Sequence, residues 1–124
     1  DVRLGTDGSA SNNSLDLRAE AKAASLVQRH DHWDARILGP EQTWDLATKG
    51  SQDWVTWDLS DIRMRPFGRD GRRLLSNLIY SGARVLDVFV EGEAVRRDGR
   101  TLTLDEDAVA EELEESVTEY YHDV

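Results

Sequence analysis

Residues 2–17 read VRLGTDGSASNNSLDL, and Asp7, the carboxylate just before Gly8, is the side chain here best placed to do chemistry. Two readings stay open on these residues alone. Gly5-Thr6-Asp7-Gly8 is a plain turn, since Gly tolerates positive φ and Asp bonds back to its own backbone. Alternatively, Asp7 stands at the carboxyl end of a parallel strand, the edge where α/β folds keep their chemistry. A carboxylate there can ligate a divalent metal or move a proton. His30 and His32 copy the spacing of an HxH metal pair, but in QRHDHWD they fall at the end of a helical stretch. Side chains at i and i+2 of a helix point apart, so both are read as surface residues. His122, in the acidic tail, is read the same way. There is no Cys, which excludes disulfides, thiolate zinc sites and a Cys nucleophile. Trp33, Trp44, Trp54 and Trp57 are assigned to core or interface rather than to a ligand cage. Arg63, Arg65, Arg69, Arg72 and Arg73 are assigned to pairing with surface acids rather than to an anion site.

Positioning Asp7 requires a strand before it and a helix after it. Residues 2–4 are the strand candidate, and Asn13 or Ser14 can cap a helix running to about Arg29. Leu15, Ala19, Ala23, Leu26 and Val27 recur on one face of that helix and predict its buried side. A second helix fits GPEQTWDLATKG, with Pro40 in its first turn and Gly50 as its stop. Residues 54–59 alternate so that Val55, Trp57 and Leu59 share one side of a strand. Residues 62–73 read as an arginine-rich loop, and residues 74–80 as a short helix. Residues 85–90 are the clearest strand, and Glu91-Gly92 turns it into a hairpin with residues 93–97. Asp98-Gly99 turns the chain again. Asp105 then caps a helix with the apolar stripe Val109, Leu113, Val117 and Tyr120 or Tyr121.

The 124 residues suffice for one ordinary domain with its own core. A formal charge of −10 argues against nucleic acid as a partner, because phosphate would be repelled. No apolar run approaches the length needed to span a bilayer, which predicts a soluble, cytoplasmic protein. The chain opens at Asp1 with nothing resembling a signal peptide, and that start suggests processing or excision. Lys occurs twice and Arg thirteen times, and Asp outnumbers Glu by fifteen to ten. An acidic, lysine-poor surface suits a protein that stays hydrated in concentrated salt, and salt adaptation is the hypothesis drawn from it.

Five segments then agree with one family. GTDGSASNNSLDL (5–17), ATKG (47–50), DWVTWDLSDIRMRP (53–66), NLIYSG (77–82) and VLDVFVEGEAVRRDGRTLTLDEDAV (85–109) resemble the carboxyl-terminal portion of a metal-dependent amidohydrolase. The group in question contains the S-adenosylhomocysteine and methylthioadenosine deaminases and the triazine chlorohydrolases. The resemblance implies an α/β fold: the last strand and helices of a (β/α)8 barrel in residues 1–50. Part of a small β-sandwich domain with a C-terminal amphipathic helix then occupies residues 51–124. It implies that Asp7 ends the eighth barrel strand, binds the catalytic zinc or iron, and exchanges a proton with metal-activated water that attacks a purine-like or triazine ring and displaces ammonia or chloride. The family's histidine ligands and catalytic glutamate lie on earlier strands, so the rest of the barrel is the implied partner, beside the small-molecule substrate, and the chain alone is expected to be inactive. A homodimer is plausible. A Gly- and Leu-rich segment that the family carries is missing where Gly50 meets Ser51. The competing expectation is a non-catalytic remnant serving as a binding or assembly module.

Overall fold

The structure, a computed structural model, describes residues 1–122, with His122 described by its backbone alone. The chain packs as two units, residues 1–51 with 58–84 and residues 52–57 with 85–124. Residues 58–84 therefore pack with residues 1–51.

The first unit holds α1 (Leu17–His32), α2 (Pro40–Thr48), a 3₁₀ turn (Ile62–Met64) and α3 (Gly71–Ser81). Asp16 rather than Asn13 or Ser14 caps α1: its carboxylate accepts the N–H groups of Arg18 and Ala19 at 2.9 and 3.2 Å. The helix continues past Arg29 to His32, and Trp33 ends it in the left-handed conformation. In the same way Asp70 caps α3 and carries the helix three residues upstream of the predicted start. The buried apolar side chains are Ala21, Met64, Leu78 and Ile79.

The apolar stripe of α1 lies on the opposite side from the one this packing covers. Ala21 and Ser25 are buried, whereas Leu15, Leu26 and Val27 are exposed. Small side chains allow close helix approach, and Ser25 adds polar ties. Its hydroxyl donates to the Leu38 carbonyl at 3.0 Å and lies 2.6 Å from the Tyr80 hydroxyl. The Leu38 carbonyl also accepts from Thr43 and Arg29. Residues 2–4 form no strand. Their backbone tie is one bond, Leu4 N–H to the Leu46 carbonyl at 2.9 Å. A strand needs a neighbour with which to exchange a ladder of bonds, and the described residues supply none there.

The second unit is an open antiparallel sheet in the order β1-β2-β3-β4, with β1 at Trp54–Trp57, β2 at Val85–Val90, β3 at Glu93–Arg97 and β4 at Arg100–Thr101. A sandwich needs a second sheet facing the first. Among the described residues there is one sheet. The expected turns are present, with positive φ at both central residues of Glu91-Gly92 and Asp98-Gly99, as tight hairpins demand. A register shift between Val55 and Trp57 breaks the alternation expected over residues 54–59 and shortens that strand. Phe89 is buried between the Trp54 ring, stacked on it at 3.7 Å, and the Arg97 guanidinium, 4.6 Å from its centroid. The remaining helix, α4 (Glu106–His122), is capped by Asp105 as expected, but its apolar stripe is exposed.

Candidate active site

Asp7 sits in a loop built to fix a carboxylate. Its backbone adopts φ 57°, a left-handed conformation that few residues other than Gly take, and Asp and Asn tolerate best. One carboxylate oxygen accepts the Gly8 N–H at 2.8 Å, and the other accepts the Ser11 hydroxyl at 3.0 Å. The Gly8 carbonyl in turn accepts the N–H groups of Ser11 and Asn12, closing the loop beneath the side chain. Asn12 then ties this loop to α1, because its amide donates to the Thr6 carbonyl at 3.1 Å and to the Glu20 carboxylate at 2.6 Å. This geometry meets the turn reading, with Asp7 bonded back to the backbone beside it, while no strand precedes Asp7 among the described residues. An ionised carboxylate has about four lone-pair sites, so two local bonds leave capacity for a metal or a proton.

Other candidates are placed elsewhere. His30 lies against the Trp33 ring at 5.7 Å between centroids, and His32 faces Asp31 at 3.8 Å. Both are exposed. The His122 side chain falls outside the described residues. Trp33 is 89% exposed and so belongs to no core, because it forms the left-handed end of α1. Of the five arginines, Arg63 pairs with Asp61, Arg72 pairs with Glu41, and Arg65 covers the Phe67 ring. Among the described residues no group of three or more His, Cys, Asp or Glu side chains could hold a metal. Asp7 is one oxygen donor, which suits a zinc site as one ligand of three or four but does not complete it.

The most perturbed carboxylate lies away from this loop. Arg63 holds the Asp61 carboxyl far below its ordinary range, first through its guanidinium and then through its N–H, helped by the Arg84 N–H. Asp58 is lowered by the Ser60 hydroxyl and N–H and then by Arg84. This pattern has a spacing that the sequence reading missed. In Asp16-Leu17-Arg18, Asp34-Ala35-Arg36 and Asp61-Ile62-Arg63, the Asp accepts the N–H two residues on while the same Arg folds back onto its carboxylate. The signal was the D-x-R spacing, which also occurs at Asp1, Asp70 and Asp98: Arg3 reaches the Asp1 carboxylate at 3.2 Å, whereas the arginine after Asp70 goes to Glu41 instead.

No family model matches the chain. It is 31% identical to 5'-deoxyadenosine deaminase of Methanocaldococcus jannaschii, over 92% of this chain and 30% of that protein. It is 34% identical to 5-methylthioadenosine/S-adenosylhomocysteine deaminase of Bacillus thuringiensis, over 87% of this chain and 28% of that one. Its fold matches an adenosine deaminase of Xanthomonas campestris solved with bound zinc, at a TM-score of 0.78 and 28% identity, over 91% of this chain and 29% of the other. The chain is homologous to part of the amidohydrolase-superfamily deaminases. It spans less than a third of their length. The four-stranded sheet and helices accordingly match a portion of that fold. The alignment with the first relative extends over 127 positions, more than this chain possesses, so that relative carries residues with no counterpart here.

Proposed function

We propose that this chain is the carboxyl-terminal portion of a metal-dependent deaminase acting on a purine-like ring, with Asp7 as a metal ligand and proton shuttle. The observation that carries the reading is the Asp7 loop, where left-handed backbone, Gly8 N–H and Ser11 hydroxyl fix one carboxylate, in a chain homologous to deaminases over nine-tenths of its length. A divalent metal, zinc by preference and iron as the alternative, would supply acidified water near neutral pH. Asp7 offers one oxygen to it, and the other ligands belong to the remainder of the barrel. Of the proton chemistry, Asp7 contributes a carboxylate oxygen that can take a proton and later give it up to a departing amine. The Ser11 hydroxyl and Gly8 N–H hold that carboxylate in orientation, and Asn12 holds the loop. The triazine group remains the second substrate class, since loss of chloride uses the same activated water. By this reading residues 1–124 alone, with one ligand, do not turn over substrate.

The test is ammonia release from 5'-deoxyadenosine, 5'-methylthioadenosine and adenosine by the complete polypeptide that contains these residues. Asp7→Asn keeps the size and one acceptor oxygen but cannot shuttle a proton, and is expected to lose activity by at least about a hundredfold. Full activity in that variant would defeat the assignment.

A further inference from the structure

The bonds that fix the Asp7 carboxylate are local, closing the loop on itself within residues 7–12. A closed loop keeps its shape, but its orientation depends on what joins it to the rest of the fold. Among the described residues one side-chain hydrogen bond joins residues 5–12 to α1, from the Asn12 amide to the Glu20 carboxylate at 2.6 Å. The other hydrogen of that amide goes to the Thr6 carbonyl at 3.1 Å, next to Asp7 in the chain. Both amide hydrogens are therefore used, and their two acceptors set the orientation of the Asn12 side chain. Asn12 and Glu20 are half-buried, and a bond to a carboxylate is of the stronger kind.

Glu20 is itself firmly placed. It stands in the first turn of α1, two residues after Arg18. The Arg18 guanidinium donates to the Asp16 carboxylate at 2.8 Å and to the carbonyl of Ile79 in α3 at 3.1 Å. It also lies over Gly82 so closely that a Cβ there would meet it at 3.2 Å. The turn that carries Glu20 is thus anchored on the end of α3. We propose that Glu20 is a positioning residue for Asp7, acting through Asn12 and the Thr6 peptide as a hydrogen-bond acceptor. The ordinary role of an acid in a first helical turn is a charge facing the helix dipole, and Gln separates the two roles because it keeps the acceptor and removes the charge. The inference rests on the proposed function, since it takes Asp7 as the metal ligand.

The experiment uses the complete polypeptide with three readouts: hydrogen exchange of the loop in the metal-free protein, zinc affinity by chelator competition, and kcat and KM for 5'-deoxyadenosine. In Glu20→Ala the Ser11 and Asn12 N–H groups, both bonded to the Gly8 carbonyl, should exchange about tenfold faster. Zinc affinity and kcat should each fall about tenfold, with KM changed by less than about twofold. Glu20→Gln should bring all three readouts to within about threefold of the native protein. In an Asn12→Ala background Glu20→Ala should cost less than about twofold more, because its route to Asp7 is already cut. Native loop exchange in Glu20→Ala, a Gln variant as impaired as Ala, or full additivity with Asn12→Ala would each overturn the proposal. Asp7→Ala separates it from the reading on which it rests. Zinc affinity lost in Asp7→Ala and untouched in Glu20→Ala overturns this inference alone, whereas affinity untouched in both overturns the metal-ligand reading and this inference with it.

Discussion

The tie between Ser25 and Tyr80 offers a worked test of how the helical unit is held together. Ser25 is fully buried, and its single hydroxyl proton goes to the Leu38 carbonyl at 3.0 Å. The Tyr80 hydroxyl, 2.6 Å away, must then donate to Ser25. Ser25→Ala removes both bonds and strands the tyrosine hydroxyl, which at about 1 kcal/mol per net bond predicts a loss of about 2 kcal/mol. Tyr80→Phe removes one bond and keeps the ring that lies under the Arg29 guanidinium, so it should cost about 1 kcal/mol. Once Ser25 is gone the tyrosine hydroxyl has little left to lose, and the double variant should cost about 2 kcal/mol rather than the additive 3. Equilibrium unfolding in urea, followed by circular dichroism, gives all four corners of this cycle, and Ser25→Ala should lower Tm by roughly 8 °C. Additive costs, or a Tyr80→Phe variant as stable as the parent, would mean that Tyr80 does not donate to Ser25 and that the buried polar tie between α1 and α3 is misassigned.

Several other outcomes follow from the same geometry. Asp61 and Asp58 have folded pKa values below their ordinary ones, so the unfolded chain binds more protons and stability rises with pH. Their contribution should be complete above about pH 4 and decline as pH falls below it toward the folded values, and Asp61→Asn should flatten that part of a stability profile measured by urea titration. Truncating Phe89, held between Trp54 and Arg97, to Ala should destabilise the sheet by about 3 kcal/mol in the same assay, while a cost under about 1 kcal/mol would deny that this stack is its core. If the acidic, lysine-poor composition is salt adaptation, the unfolding midpoint should rise between low and multimolar KCl, and a flat or falling midpoint would reject it.

The elements with local signals were legible from sequence. Asp105 announced α4, Pro40 announced α2, and Glu91-Gly92 and Asp98-Gly99 announced the two turns, because caps and positive-φ turns depend on the residues within them. What failed was burial. Periodicity located the stripe of Leu15, Leu26 and Val27 on α1, yet it cannot say whether a covering layer exists, and the face that packs is the small-residue side at Ala21 and Ser25. The strand at residues 2–4 failed for a related reason, since a strand is defined by its neighbour. Asp16 outcompeted Ser14 as a cap because its carboxylate takes two N–H groups and the Arg18 guanidinium together. At the site, Asp7 was visible as a residue type, while Ser11, Asn12 and Glu20, which hold its loop, carried no signal of their own in the sequence.

The account rests on Asp7 as a metal ligand, and the most direct measurement is the zinc and iron content of the complete polypeptide, native and with Asp7→Ala, after dialysis against a weak chelator. About one metal per chain in the native protein, and a metal affinity at least tenfold weaker in the variant, is the expected result. An Asp7→Ala protein that retains its metal as tightly as the native one would contradict the claim.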